Sequence, residues 1–188
     1  MMSYNLKGKR VAVLAADGFE QSELESPVAA LRENGAETVV VSLKPGKIRG
    51  WKDGNWGDSV DVDQIVADAD PDQFNALLLP GGVLNPDTLR TDEDVLKFVK
   101  LFFAQHKPVA AICHGPWTLV NAGVLQGRKV TSYHTIKADL VNAGAQWVDQ
   151  EVVVDEGLVT SRNPDDLPAF NDKLCEEVEE GKHTLQHA

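Results

Sequence analysis

The sequence predicts an α/β domain of the doubly wound kind, a mostly parallel sheet covered by helices on both faces. Three observations carry this. Residues 11–15, 37–43, Ala76–Leu79 and 108–112 are short apolar runs without polar alternation, the pattern of strands buried on both faces. Segments with apolar residues at helical spacing lie between them. The strand-like runs also stop at abrupt turn signals: Asp17-Gly18, Pro80-Gly81-Gly82 and Cys113-His114-Gly115.

Taken in order, strand 11–15 leads into a helix over 20–34, whose apolar face is Leu24, Val28 and Leu31 and whose stop is Asn34-Gly35. After strand 37–43, the Gly- and Lys-rich stretch 44–58 carries Trp51 and Trp56 and reads as a long loop or a small hairpin. Ala76–Leu79 is a third strand. Residues 92–105 form an amphipathic helix with Val95, Phe98, Val99, Phe102 and Phe103 on one face. Strand 108–112 is followed by a helix over 115–122 that Gly123 ends. "VVVDEGLVT" predicts an antiparallel hairpin turning at Asp155-Glu156-Gly157, and 165–181 a last helix. No repeat, low-complexity tract or linker interrupts the pattern, so 1–188 reads as one domain.

Bulk composition excludes several roles. The formal net charge is -11, which disfavours a nucleic-acid surface and docking on anionic membranes. The two cysteines, Cys113 and Cys175, make no disulfide framework and have no metal-ligand spacing to the histidines. No metal or other cofactor is therefore expected. The start, "MMSYNLKGKR", lacks an apolar signal core, and no run approaches the ~20 apolar residues of a membrane span. The expected location is the cytoplasm, where thiols stay reduced.

In doubly wound sheets the ligand crevice lies beyond the carboxyl ends of the strands. Residues 17–20, Pro80-Gly81-Gly82 and 113–115 all fall there. Ala111-x-Cys113-x-Gly115, between a strand and a helix, resembles the nucleophile elbow, with small residues two before and two after a reactive side chain. Helix-end amides there favour a thiolate. Adjacent side chains at a bend usually point apart, so the sequence does not require His114 to touch Cys113. The His114 N–H is placed as an oxyanion donor, with Gly82 as the second. Glu20 is the candidate acid beside the thiol, expected in its protonated form, which would donate to the thiolate rather than repel it. Cys175 reads as packing, His106 as a helix-end residue, His134 as a loop residue with general-base potential, and His183 and His187 as tail residues.

"DGFE", "LLLPGG", "KPVAAICHGPWTLVNAGVLQGRKVTSY" and "VNAGAQWVDQEVVVDEGLVTSRNPDDL", carried in this order, resemble the PfpI family, the intracellular-protease and stress-protein branch of the superfamily that includes the Parkinsonism-associated deglycase. The resemblance runs from about Arg10 to the last helix. It implies a flavodoxin-like three-layer sandwich with an added β-hairpin, a homodimer and in some members a higher oligomer. It implies Cys113 as an oxidisable elbow nucleophile, Glu20 as its hydrogen-bonding acid, and the Gly82 and His114 amides as the oxyanion pocket. Tyr133 matches a pocket position, and Arg162 lies in a matching "TSR" stretch. The protease-named branch adds an acid from the neighbouring subunit. Asp87 stands near that point, a departure from the family's usual Glu.

The resemblance and the elbow together favour a cysteine-dependent enzyme acting on small reactive carbonyls, glyoxal or methylglyoxal or their early adducts. A cysteine peptidase and a redox-sensing stress protein are the alternatives. No downstream His-x-Glu pair supports an amidotransferase.

Overall fold

The computed structural model describes residues 4–186. Along the chain run β1 (Arg10–Leu14), β2 (Phe19–Glu20), α1 (Gln21–Glu33), β3 (Glu37–Ser42), β4 (Gly46–Lys52), β5 (Asn55–Val62), β6 (Gln64–Ile65) and β7 (Ala76–Leu79). Then come α2 (Leu84–Leu89), α3 (Glu93–Ala104), β8 (Val109–Ile112), α4 (Pro116–Ala122), β9 (Lys129–Val130) and α5 (Lys137–Asn142). The chain closes with β10 (Gln146–Trp147), β11 (Val152–Asp155), β12 (Leu158–Ser161) and α6 (Leu167–Glu180).

Seven strands make the main sheet in the order β11-β12-β8-β7-β1-β3-β6. All neighbours are parallel except β11 against β12, the antiparallel hairpin expected at Asp155-Glu156-Gly157. The uninterrupted apolar runs are explained by burial on both sides. One core layer joins β-strand side chains such as Leu14, Leu77 and Leu79 to the α3 face Val95, Phe98, Val99 and Phe102. The other joins Val11, Val13, Leu78 and Ile112 to Leu24 and Leu31 of α1 and Phe170 and Leu174 of α6. The result is helix, sheet, helix: a flavodoxin-like sandwich.

The stretch 44–58 resolves as the hairpin reading. β4 and β5 are antiparallel around Asp53-Gly54, with Trp51 and Trp56 paired across the strands at 5.4 Å, edge to face. β2 adds to β4 and makes a second small sheet. The segment 129–147, not assigned from sequence, holds β9, α5 and β10. No helix among the described residues is long and apolar enough to cross a membrane.

The order fixes where a site can form. β1 lies between β3 on one side and β7 on the other, so the winding direction reverses at β1 and β7. A crevice opens beyond their carboxyl ends, which is where ligands bind in such sheets.

Candidate active site

Cys113 occupies the bend between β8 and α4 with φ 62, the left-handed region rarely used by residues with a Cβ. Such a conformation costs on the order of 1–3 kcal/mol and persists only where neighbours hold it. Here the Cys113 N–H donates to the Ser161 carbonyl at 3.0 Å, and its carbonyl accepts from the Tyr133 N–H at 2.9 Å. The bend closes with the Gly115 N–H on the Ile112 carbonyl at 2.8 Å. Strand β12 and the segment after β9 therefore clamp the bend from both sides.

The Pro80-Gly81-Gly82 turn comes against it. A Cβ on Gly81 would lie 2.7 Å from the Cys113 Cβ and 2.4 Å from Glu23 Oε2, so this close approach requires glycine. Gly82 takes φ 79, and a Cβ there would sit 2.3 Å from the Gly18 carbonyl oxygen. Asn85, wholly buried, ties the ends of β1 and β7 together. Its side-chain amide donates to the carbonyls of Pro80 and Gly81 at 2.9 and 3.0 Å, and its Oδ1 accepts from the Ala16 N–H at 2.7 Å. The N–H groups of Gly82 and His114 both act on Cys113 Sγ.

The carboxyl beside the thiol belongs to Glu23, which corrects the expectation for Glu20. Glu20 is held in the extended β2 strand, whose partner is Trp51 in β4, and its side chain turns to Ser22 at 3.5 Å. The helix begins only at Gln21. Within the first turn, Glu23 reaches under the glycine turn and accepts from the Gly81 N–H at 2.9 Å. Its exposure is 0%, and its Oε1 has no hydrogen-bond partner. Burial first, then the nearby Glu20 charge, push the Glu23 carboxyl up to about 8. Glu23 therefore keeps its proton near neutral pH, the state expected for the acid at this thiol. Burial, and secondarily Glu23 when ionised, push the Cys113 thiol up as well. The Gly82 and His114 amides oppose that shift, and a protonated Glu23 removes the repulsion.

His114 does touch its neighbour: Nδ1 is 3.2 Å from Cys113 Sγ. The strained bend turns both side chains the same way. The ring stacks on Tyr133 at 4.8 Å and meets the edge of Trp117 at 5.4 Å. Its Nε2 lies 3.2 Å from Thr135 Oγ1. Burial, with a contribution from His134, lowers its pKa, so the ring is a neutral base at pH 7.

Other candidates stand further off. Asp87 pairs with Arg90, just past the end of its own helix, at 2.8 Å and is exposed. Arg90 covers the Trp117 ring at 4.7 Å, so Asp87 meets His114 only through two intermediaries within this chain. Arg162 is a fork on Asp166, at 2.9 Å from two of its nitrogens, and pairs with Asp149 at 2.8 Å. It secures the strand end that supplies the Ser161 carbonyl. His134 meets Tyr133 at 4.5 Å with the rings tilted by 39°. Cys175 packs in α6, and His187 lies outside the described residues. Glu23, Asn85 and Thr135 are the members that sequence reasoning missed.

The sequence and the fold have known relatives. A profile of the DJ-1/PfpI family matches residues 9–177. The chain is 48% identical over 161 residues to "Deglycase TK1284" of Thermococcus kodakarensis, covering 86% of this chain and 94% of that protein. It is 48% identical over 164 residues to "Protein/nucleic acid deglycase 2" of Escherichia coli, covering 87% and 94%. Among solved structures, Drosophila melanogaster DJ-1beta superposes with a TM-score of 0.83 at 29% identity, over 95% of this chain and 91% of that one. With a match across nearly its whole length and an elbow cysteine at the end of β8, the chain belongs to the DJ-1/PfpI family.

Proposed function

We propose that this protein is a cysteine-dependent enzyme that converts small reactive carbonyls, methylglyoxal or glyoxal or their early glycation adducts, to hydroxy acids. The observation that carries the reading is the convergence on Cys113 Sγ of two backbone N–H groups, a buried protonated carboxyl and a neutral imidazole. The deglycase names of its relatives agree with it.

The chemistry balances without a cofactor. As Sγ attacks the aldehyde carbon of methylglyoxal, a C–S bond forms and the thiol proton passes to His114 Nδ1. The carbonyl oxygen becomes an oxyanion facing the Gly82 and His114 amides, and Glu23 delivers the proton that makes it a hemithioacetal. The Glu23 carboxylate and His114 then move the C1 proton to the neighbouring carbon and the C1 hydroxyl proton to that carbon's oxygen, through an enediol, to leave a thioester. Water cleaves the C–S bond and returns the thiol. The sum is methylglyoxal plus water giving lactate, with no net oxidation. Groups with pKa values pushed in opposite directions, the acid up and the imidazole down, suit this division of labour.

The Cys113–His114 contact at 3.2 Å supports a second reading, a cysteine peptidase. The acid from a neighbouring subunit that this reading needs falls to Asp87, which is shorter than the usual Glu. The family resemblance also favours a homodimer acting in the cytoplasm, and one domain over 1–188.

The test is hydroxy-acid formation from methylglyoxal by the reduced protein beside Cys113→Ser, Glu23→Gln and Glu20→Gln. Loss in the first two with retention in the third supports the carbonyl reading and the reassigned acid. No turnover above Cys113→Ser, while an unfolded protein is cut in a Cys113- and His114-dependent way, replaces it with the peptidase.

A further inference from the structure

At the far end of the molecule a second group of side chains converges. α6 places Glu177 and Glu180 one turn apart on the same face. Gly181, at φ 89, ends the helix and turns the chain back over its last turn. His183 is then pinned by three segments. Its N–H donates to the His106 carbonyl at 2.9 Å, and its carbonyl accepts from the Gln186 N–H at 2.9 Å. The Gly157 turn of the β11–β12 hairpin closes so tightly that a Cβ there would lie 2.7 Å from the His183 ring.

One ligand atom from each of Glu177, Glu180 and His183 lies within 4.8 Å of the others. Glu177 is 5% exposed. Its Oε2 and the His183 Nε2 are 2.8 Å apart, yet both are shut from solvent and neither is aligned for a hydrogen bond to any group. An ordinary imidazole–carboxylate pair would point the N–H at the oxygen. Here two buried ligand atoms lie side by side with no hydrogen bond between them, and a Glu180 carboxylate oxygen lies within 4.8 Å of both, so small side-chain adjustments bring all three onto one ion. Negative charge is also crowded there, since Glu176 and Glu180 lie on the same helix beside Glu177.

We propose that Glu177, Glu180 and His183 bind a divalent transition-metal ion of the zinc type, through Nε2 and one oxygen of each carboxylate, with water completing the shell. An imidazole among the ligands favours zinc over the hard ions calcium and magnesium, which prefer oxygen alone. The ion would fasten the strap 182–186 to α6 and to the hairpin turn. It takes no part in chemistry at Cys113, and the proposal does not rest on the carbonyl reading.

The test uses the whole chain carrying Cys113→Ser, so that the elbow thiol cannot compete for metal. Zn2+ at about a hundred times its dissociation constant should raise Tm by about 5 °C. Co2+ should give visible ligand-field absorption with no sulfur-to-metal band. Both responses should vanish with His183→Ala and with Glu180→Gln, the latter an exposed position where folding is not at stake. No Tm change in large Zn2+ excess, or equal responses in the parent and in Glu180→Gln and His183→Ala, would overturn the site and leave an ion pair between Glu177 and His183.

Discussion

Cys113 and Cys175 are the same side chain in two settings, and both are free and buried, at 7% and 2% exposure. Cys175 sits in a regular turn of α6, with one weak contact from Asn34 Nδ2 at 3.9 Å. It lines a groove of about 600 Å3 between α1 and α6, with Tyr4 and Asp172, none of whose lining residues belongs to the elbow. Burial, then Asp172, push its thiol up to about 11. Burial raises the Cys113 thiol too, and more strongly, so what differs between them is the set of groups that meets each sulfur. Cys113 is buried too, but on a left-handed bend, with two amides, an imidazole and a protonated carboxyl directed at its sulfur. Burial does not separate an inert thiol from a reactive one. The backbone conformation that turns Sγ toward donors does, and the cavity beside Cys175 is no guide to the chemistry.

The comparison breaks most simply by removing each sulfur. Cys113→Ser should lower hydroxy-acid production on the order of a thousandfold or more, since it removes the nucleophile. Cys175→Ser should leave kcat/KM within about twofold, because no catalytic group touches it. Comparable losses in both would mean that the elbow is not what distinguishes them.

Next in size is the acid. Glu23→Gln keeps shape and the Gly81 contact but cannot shuttle a proton, so kcat should fall about a hundredfold. Glu20→Gln should change it only a few-fold. A reversed ranking would return the role to the residue that the sequence suggested.

That misassignment shows what was legible. The parallel sheet could be read because strands buried on both faces need unbroken apolar runs, and the elbow because small residues must flank a crowded bend. The three strand ends could be named because each ends in turn residues. What could not be read is which side chain crosses between them. Glu20 and Glu23 are both acidic, and the helical stripe through Leu24, Val28 and Leu31 favours the acid outside it as solvent-exposed. Glu23 is buried because β7 lies beside β1 and brings Gly81 over the first turn of α1, a long-range pairing that local pattern does not encode. Asn85 and Thr135 escaped notice for the same reason: each acts on a residue far away in the chain.

A pH series sharpens the contrast in stability. Glu23 is raised to about 8 and Glu177 to about 7, both by burial first. A carboxyl raised in the folded state binds its proton more tightly there. Its contribution is full below the unfolded value near 4.5 and is lost as pH rises through the folded value. Chemical denaturation should therefore show stability falling between about pH 5 and 8. Glu23→Gln should flatten that slope, with the residual slope belonging to Glu177 and to Glu20, which burial also raises. An unchanged slope would show that Glu23 is ionised in the folded protein.

The smallest effect concerns what holds His114. Thr135 Oγ1 lies 3.2 Å from Nε2, and accepting a proton from that nitrogen leaves Nδ1 with its lone pair toward the thiol. Cys175 has no such indirect support. Thr135 is exposed, so in Thr135→Val water can take over the contact, and the loss in kcat should be only about three- to tenfold. The direction of the pH response is diagnostic. An acceptor at Nε2 favours the imidazolium more than the neutral ring, so its loss lowers the His114 pKa further, and the acidic limb of the kcat/KM profile should move to lower pH. Thr135→Ser should restore both rate and profile. A rate loss with an unmoved profile would mean that Thr135 merely packs against the ring, and that stacking on Tyr133 alone orients the base beside Cys113.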